Sequence, residues 1–234
     1  RFGAGALRLD NTKLIFRLAP DGAPTSAHAH VHGEANQLVE EWMLAANGAA
    51  AERLTSRAPT RALLRRHSPP AQSKLEEVAA AVKDAVGVTL DVSSAGALHA
   101  SLTAAAATLP PAAAAALTLL CTKPMQLATY DCAGAVAGGV EAMGHYALAM
   151  RLYTHFTSPI RRYPDVLVHR MLAATLDGGS DGGAPSPPCD DDWWHARGVA
   201  EPAAVAAAAA HCNERKLAAK AVQDASSKLF LADL

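Results

Sequence analysis

Hydrophobic and polar positions alternate along the first part of the chain and then change to a helical period. Leu7, Leu9, Leu14, Phe16 and Leu18 alternate with polar residues around Asp10-Asn11-Thr12, which predicts a hairpin of two half-buried antiparallel strands. Asp21-Gly22 supplies a second turn. Thr25 to His32 then reads as a third strand carrying His28, His30 and His32 on one face. A metal site would need further ligands and supporting partners that the sequence does not place nearby, so this row is read as an exposed strand face.

From Glu34 to about Arg57, Leu38, Val39, Trp42, Met43 and Ala46 recur at helical spacing, predicting an amphipathic helix with these residues on its apolar face. Glu40, Leu44 and Asn47 fall close to one line along that helix, with Glu41 beside it. A carboxylate and an amide could project together there; the alternative is a solvated face. Leu63-Leu64-Arg65-Arg66-His67-Ser68-Pro69-Pro70 is a cationic exit into a proline stop. A helix from Ala71 to Val86 follows, with Gly87 placed to end it in a left-handed cap. Ser93 or Ser94 can cap the next helix, whose alanine run reaches Ala107. Another starts at Pro110-Pro111 and runs through Leu117, Leu120 and Cys121 towards Tyr130, kinked or interrupted at Pro124. Asp177 to Pro188, rich in Gly, Asp, Ser and Pro, predicts a flexible surface loop that extends to Asp192. Consecutive aspartate side chains diverge, so Asp190-Asp191-Asp192 is read as solvating the loop or favouring the next helix start, with no metal assigned. Val205 to Leu234 reads as one long helix with Lys216 and Lys220 four apart.

Composition narrows the classes. The 234 residues are 50% hydrophobic and 18% charged, and a mean hydropathy of +0.07 excludes global disorder. A formal net charge of −1 provides no overall basic field, so any anion site must be local. No apolar stretch is long enough to span a membrane. Cysteines 121, 132, 189 and 212 form no Cys-x-x-Cys pair, which argues against a zinc ribbon and favours a reduced intracellular setting. Arg1-Phe2-Gly3-Ala4-Gly5 carries no initiator Met and no signal-type core, and reads as the interior of a longer protein.

The densest chemistry lies between Tyr153 and Arg170. Ser158 suits a helix N-cap and Pro159 a first helical position, which would place Arg161 and Arg162 in the first turn. Cations at that end of the helix dipole are unfavourable by roughly 0.3–1 kcal/mol each when exposed, and Asp165 can offset part of this. An anion would offset more, since backbone N–H groups, hydroxyls and two guanidiniums converge there. Two readings stay open at this level: a phosphate site, or an internal Arg–Asp bridge.

The run HFTSPIRRYPDVLVHR resembles the signature of the ribonuclease II catalytic domain, the RNB domain. GALRLDNTKLIF, ANQLVEEWMLAAN, LLRRHSPP, CTKPMQLATY, HYALAMRLYTHFTSP and HCNERKLAAKAVQ resemble successive segments of that domain in the same order. PMQLATY and HCNERKLAAK are most similar to the second type of Dis3-like exonuclease. The resemblance implies a partial RNB domain over residues 1–234, of the α+β class, with a small antiparallel sheet at the N-terminal end packed by several helices.

It also implies Mg²⁺-dependent, processive hydrolysis of single-stranded RNA from the 3′ end to nucleoside 5′-monophosphates. On the matching positions, Arg161 would contact the scissile phosphate and stabilise its developing charge, with Arg162 assisting or packing. Glu40 or Glu41 would lie near a ribose, where accepting from a 2′-OH selects RNA. Ser158 would add a phosphate contact. Tyr163 and residues of LLRRHSPP would line the RNA channel, a packing role being the alternative for Tyr163. Partners implied are single-stranded RNA with a uridylated 3′ end, no membrane and no exosome core, in the cytoplasm, with the nucleus as the alternative. The family's metal-binding aspartates and flanking RNA-binding barrels lie outside this stretch. The Mg²⁺ ligands are therefore expected upstream, none being assigned within it. The expectation is an exoribonuclease in the parent protein, with this stretch alone inactive; the alternative is an RNA-binding remnant or truncated paralogue without the nuclease centre.

Overall fold

A computed structural model describes residues 2–9, 14–30, 32–176 and 191–234. In chain order the elements are β1 (Leu14–Leu18), β2 (Pro24–Ala29), α1 (Glu34–Arg57), β3 (Leu63–Arg66), α2 (Gln72–Val86), α3 (Ala95–Ala106) and α4 (Pro111–Thr122). They continue with β4 (Thr129–Cys132), α5 (Tyr163–Leu176), α6 (Asp191–Ala196) and α7 (Pro202–Ala232). The fold is α+β and helix-rich, and the chain divides into two compact units.

The first unit comprises Arg1–Ala6, Val39–Pro69 and Gln126–Asn213. Its centre is the antiparallel pair β3–β4, in which Leu63 faces Cys132 and Arg65 faces Tyr130. The other edge of β3 is held by the segment before α5: Arg65 N–H donates to the Tyr153 carbonyl at 2.8 Å. Thr154 adds its hydroxyl to the Leu63 carbonyl at 2.7 Å. Leu54, Leu63, Leu64, Met143, Val168 and Trp194 fill the core around this layer. Burying such side chains is worth about 1.5–3 kcal/mol each.

The second unit comprises Leu7–Leu38, Pro70–Met125 and Glu214–Leu234. The β1–β2 hairpin turns through Asp21-Gly22, with Gly22 at φ +88°, a conformation glycine adopts without a Cβ penalty. Leu75, Val82, Leu98, Leu102, Leu117 and Cys121 are buried from α2, α3 and α4. Gly87 ends α2 at φ +72° and donates to the Lys83 carbonyl. Ser94 caps α3, accepting from Ala97 N–H.

Several expectations change. Residues 7–9 form no strand, the predicted turn residues 10–12 lie outside the described set, and the hairpin joins β1 to β2. His28, His30 and His32 are exposed, with only His28 of the three inside β2. The helix through Cys121 stops at Thr122, and Tyr130 belongs to β4. Pro124 has no N–H to continue the ladder, so the chain leaves the helix before it. LLRRHSPP supplies β3, because Leu63 and Leu64 are both covered in a layer bonded on two edges; such strands lose the alternation that marks half-buried ones.

Residues 177–190 of the expected loop lie outside the described set, while Asp191 and Asp192 open α6. In α1 the buried line is Leu44, Asn47, Gly48, Ala51 and Leu54. Leu38, Val39, Trp42 and Met43 are exposed, Trp42 by 71%. Periodicity found this helix but not the face that packs.

Candidate functional site

The segment from Thr154 to Asp165 is built from backbone groups tied to buried side chains. Asn47 on α1 is buried, and its Oδ1 accepts from Phe156 N–H at 2.8 Å and Thr157 N–H at 3.2 Å. Its Nδ2 donates to the Tyr153 hydroxyl at 3.0 Å. Ser158 N–H then donates to Asp165 Oδ1 at 2.7 Å. The Ser158 carbonyl accepts from both Arg161 N–H and Arg162 N–H at 3.2 Å. Ser158-Pro159-Ile160-Arg161 is thus a tight turn with proline at its second position, where its fixed φ fits.

This corrects the expected helix start: α5 begins at Tyr163. A helix running from Pro159 would carry Pro164 in its interior, at about 3 kcal/mol for the lost hydrogen bond and ring clash. Restarting at Tyr163 puts Pro164 in the first turn, where a missing N–H has no cost.

The two arginines take different roles in this geometry. Arg162 donates from Nε to Asp165 Oδ2 at 2.8 Å and from Nη2 to Oδ1 at 2.7 Å. The Asp165 side chain is 0% exposed and that of Arg162 21%, so Arg162 forms the internal bridge. Arg161 is exposed in the turn beside Ile160, which is 95% exposed, and no carboxylate among the described residues pairs with it. The turn presents one available guanidinium next to one committed to the fold.

Beneath the turn lies a buried polar cluster. The Tyr130 hydroxyl and His155 Nδ1 share a 2.6 Å hydrogen bond. The Tyr153 ring meets the His155 ring edge-on at 5.6 Å. Burial pushes both phenols above their ordinary value, partly countered by the nearby charges of Arg65 and Arg162, so both remain neutral at physiological pH. Asn213 on α7 clamps Tyr130 from outside, its Oδ1 accepting from Tyr130 N–H and its Nδ2 donating to Tyr130 O, each at 2.8 Å.

Among the remaining sequence candidates, Glu40 is half-buried and Glu41 exposed on α1. Glu40 stands two turns before Asn47, roughly 10 Å along the axis. Tyr163 is exposed and lines a cavity of about 250 Å³ with Leu167, Arg170, Val199 and Val205. From LLRRHSPP, Arg66 and His67 line a second cavity of about 340 Å³ with His145 and Arg151. Asn47, Asp165, Tyr130, Tyr153 and His155 emerge as supports of the turn. Of these, Asn47 carried a sequence signal in its alignment with Glu40 and Leu44, and Asp165 one in its spacing from Arg161 and Arg162.

Among the described residues, no group of three or more His, Cys, Asp or Glu side chains converges as a metal ion requires. This donor set does not fit a magnesium centre. Among the same residues, no helix is long and apolar enough to cross a membrane.

The RNB domain model matches residues 1–178. DIS3-like exonuclease 2 of Xenopus tropicalis is 43% identical over 233 residues, covering 98% of this chain and 26% of that protein. A protein of Arabidopsis thaliana named inactive exonuclease DIS3L2 is 38% identical over 258 residues, covering 98% of this chain and 24% of its own length. The chain therefore spans about a quarter of the length of these curated relatives. In fold it is similar to Mycoplasma genitalium RNase R. The apo form superposes with a TM-score of 0.78 at 20% identity, covering 99% of this chain and 33% of that one. A complex of that enzyme with ribose-methylated single-stranded RNA gives a TM-score of 0.76, with the same identity and coverage.

Proposed function

Because this chain belongs to the RNB domain family, we propose that it forms the RNA-holding part of a 3′-to-5′ exoribonuclease acting on single-stranded RNA. The observation that carries the reading is the Ser158–Arg162 turn, which holds the exposed Arg161 beside a buried Arg162–Asp165 bridge. A rigidly mounted guanidinium is suited to a phosphodiester, which planar donors can grip in two places. Glu40 or Glu41 supplies the acceptor for a ribose 2′-hydroxyl, the group that separates RNA from DNA. Ser158 and Tyr163 flank the strand near Arg161.

Magnesium dependence, a uridylated 3′ end, independence from an exosome core and a cytoplasmic setting belong to the same proposal and rest on the resemblance. No hydrolytic step is derived through a metal ion, since the described residues do not assemble its ligands. A second reading, an RNA-binding member without hydrolysis, is favoured by the relative named inactive, at 38% identity.

The test is a time course of 5′-labelled, 3′-oligouridine RNA incubated with this chain and Mg²⁺, resolving bound from shortened RNA. Salt-sensitive binding that weakens in Arg161→Ala supports the RNA-holding role. Shortening from the 3′ end that disappears in Arg161→Ala would assign hydrolysis to the chain itself. Absence of binding at low salt would overturn the proposal.

A further inference from the structure

Arg65, to which the proposed function assigns no individual role, sits on β3 directly opposite Tyr130. Its guanidinium carbon lies 4.9 Å above the centre of the Tyr130 ring. Nη1 is buried and has no hydrogen-bond partner among the described residues. The groups acting most strongly on its charge are Tyr130, Tyr153 and Arg162. No carboxylate stands among them, because Asp165 is taken by Arg162. Burial, the largest effect, and the like charge of Arg162 lower its pKa from the ordinary arginine value, while Tyr130, by its charge and a hydrogen bond, and Tyr153 offset part of this.

A covered cation with an idle donor is costly, and buried polar groups in native folds are overwhelmingly paired. The neighbouring arginine shows what the local sequence does when a guanidinium is needed for the fold: it supplies a carboxylate. Here, among the described residues, it supplies none.

We infer that Arg65 is a reserve phosphate-binding residue, whose unpartnered Nη1 takes an oxygen of a phosphodiester in the RNA strand held at the Arg161 turn. The inference rests on the proposed RNA-holding role and deepens it. The ring beneath Arg65 steadies the guanidinium in the absence of ligand, and rotation about its terminal torsions, fast on the scale of binding, turns Nη1 towards the strand. A phosphate there also screens Arg65 from Arg162, so the two cations favour the bound state jointly.

The experiment measures binding of a fluorescein-labelled oligouridylate to the full chain over a salt series, for wild type and Arg65→Met, with thermal melts of both. Expected are a melting temperature no lower than wild type, binding weaker by about tenfold at low salt, and a log K against log salt slope shallower by about 0.7. A purely structural arginine would lower the melting temperature and leave the slope unchanged. That result overturns the inference, as does unchanged affinity and slope. If Arg65→Met does not fold, Arg65→Gln is read in the same way; failure of both to fold also overturns it, because the guanidinium would then serve the fold. No binding by wild type overturns the RNA-holding proposal and this inference with it, an outcome distinct from binding that ignores Arg65.

Discussion

Arg162 closes on Asp165 with two hydrogen bonds, 2.8 and 2.7 Å, and the carboxylate it grips is wholly buried. The same carboxylate accepts the Ser158 amide at 2.7 Å. One side chain thereby fastens both ends of the turn that exposes Arg161.

Asp165→Ala leaves a half-buried guanidinium and a backbone N–H without their acceptor. Removing one partner of a buried pair costs about 3–5 kcal/mol. Urea melts should show a fall of that size, and RNA binding by whatever remains folded should weaken because Arg161 loses its mount. A melt within experimental error of wild type would refute this account of the turn.

Asn47→Ala removes the acceptor of Phe156 and Thr157 and the donor to Tyr153. Unsatisfied buried groups cost roughly 1–3 kcal/mol each, so a loss of about 2–4 kcal/mol is expected. Hydrogen exchange at the Phe156 and Thr157 amides should accelerate more than at β3. Equal acceleration throughout would mean that Asn47 acts on global stability alone.

Two glycines should behave oppositely. A Cβ at Gly134 would lie 2.3 Å from the Thr60 carbonyl oxygen, whereas one at Gly48 meets only the flexible end of Met150, at 2.8 Å. Gly134→Ala should cost about 2 kcal/mol or more through a clash between backbones. Gly48→Ala should be near neutral, since alanine favours a helix interior by about 1 kcal/mol and the Met150 methyl can move. Thermal melts of the two variants decide the point.

Burial pushes the Cys121 thiol up to about 11 from an ordinary value of 9.0. Below pH 9 the thiol is protonated whether the chain is folded or not, so it adds no pH dependence. Between pH 9 and 11 the unfolded chain ionises first, unfolding releases a proton, and stability falls by about 2–3 kcal/mol. Cys121→Ala should remove that share of the alkaline slope; an identical slope in both proteins would place the thiol's ionisation elsewhere.

Local signals in the sequence fix a good deal here. The reach of α1, the left-handed cap at Gly87 and the Ser94 cap of α3 are set by spacing and backbone chemistry within a few residues. They needed no partner from elsewhere in the chain. The family was legible for a similar reason, because contiguous motifs such as HFTSPIRRYPD carry it without any fold being known.

What long-range packing decides was not legible. Leu38, Val39, Trp42 and Met43 form the more apolar stripe of α1, yet the face that packs holds Leu44, Asn47 and Leu54, because Asn47 finds Tyr153, Phe156 and Thr157 more than a hundred residues away. Arg65 and Arg66 look alike in sequence, but the first faces Tyr130 with an idle donor while the second meets Asp131 at 3.3 Å. Alternation along β3 sends them to opposite sides of the strand. The sequence by itself determined the span of α1, the caps at Gly87 and Ser94, the family and the arginine-rich motif, all of them local in the chain. Only the tertiary structure decided which arginine is tied down, which is exposed and which keeps an idle buried donor, because that depends on carboxylates and rings brought together from distant segments.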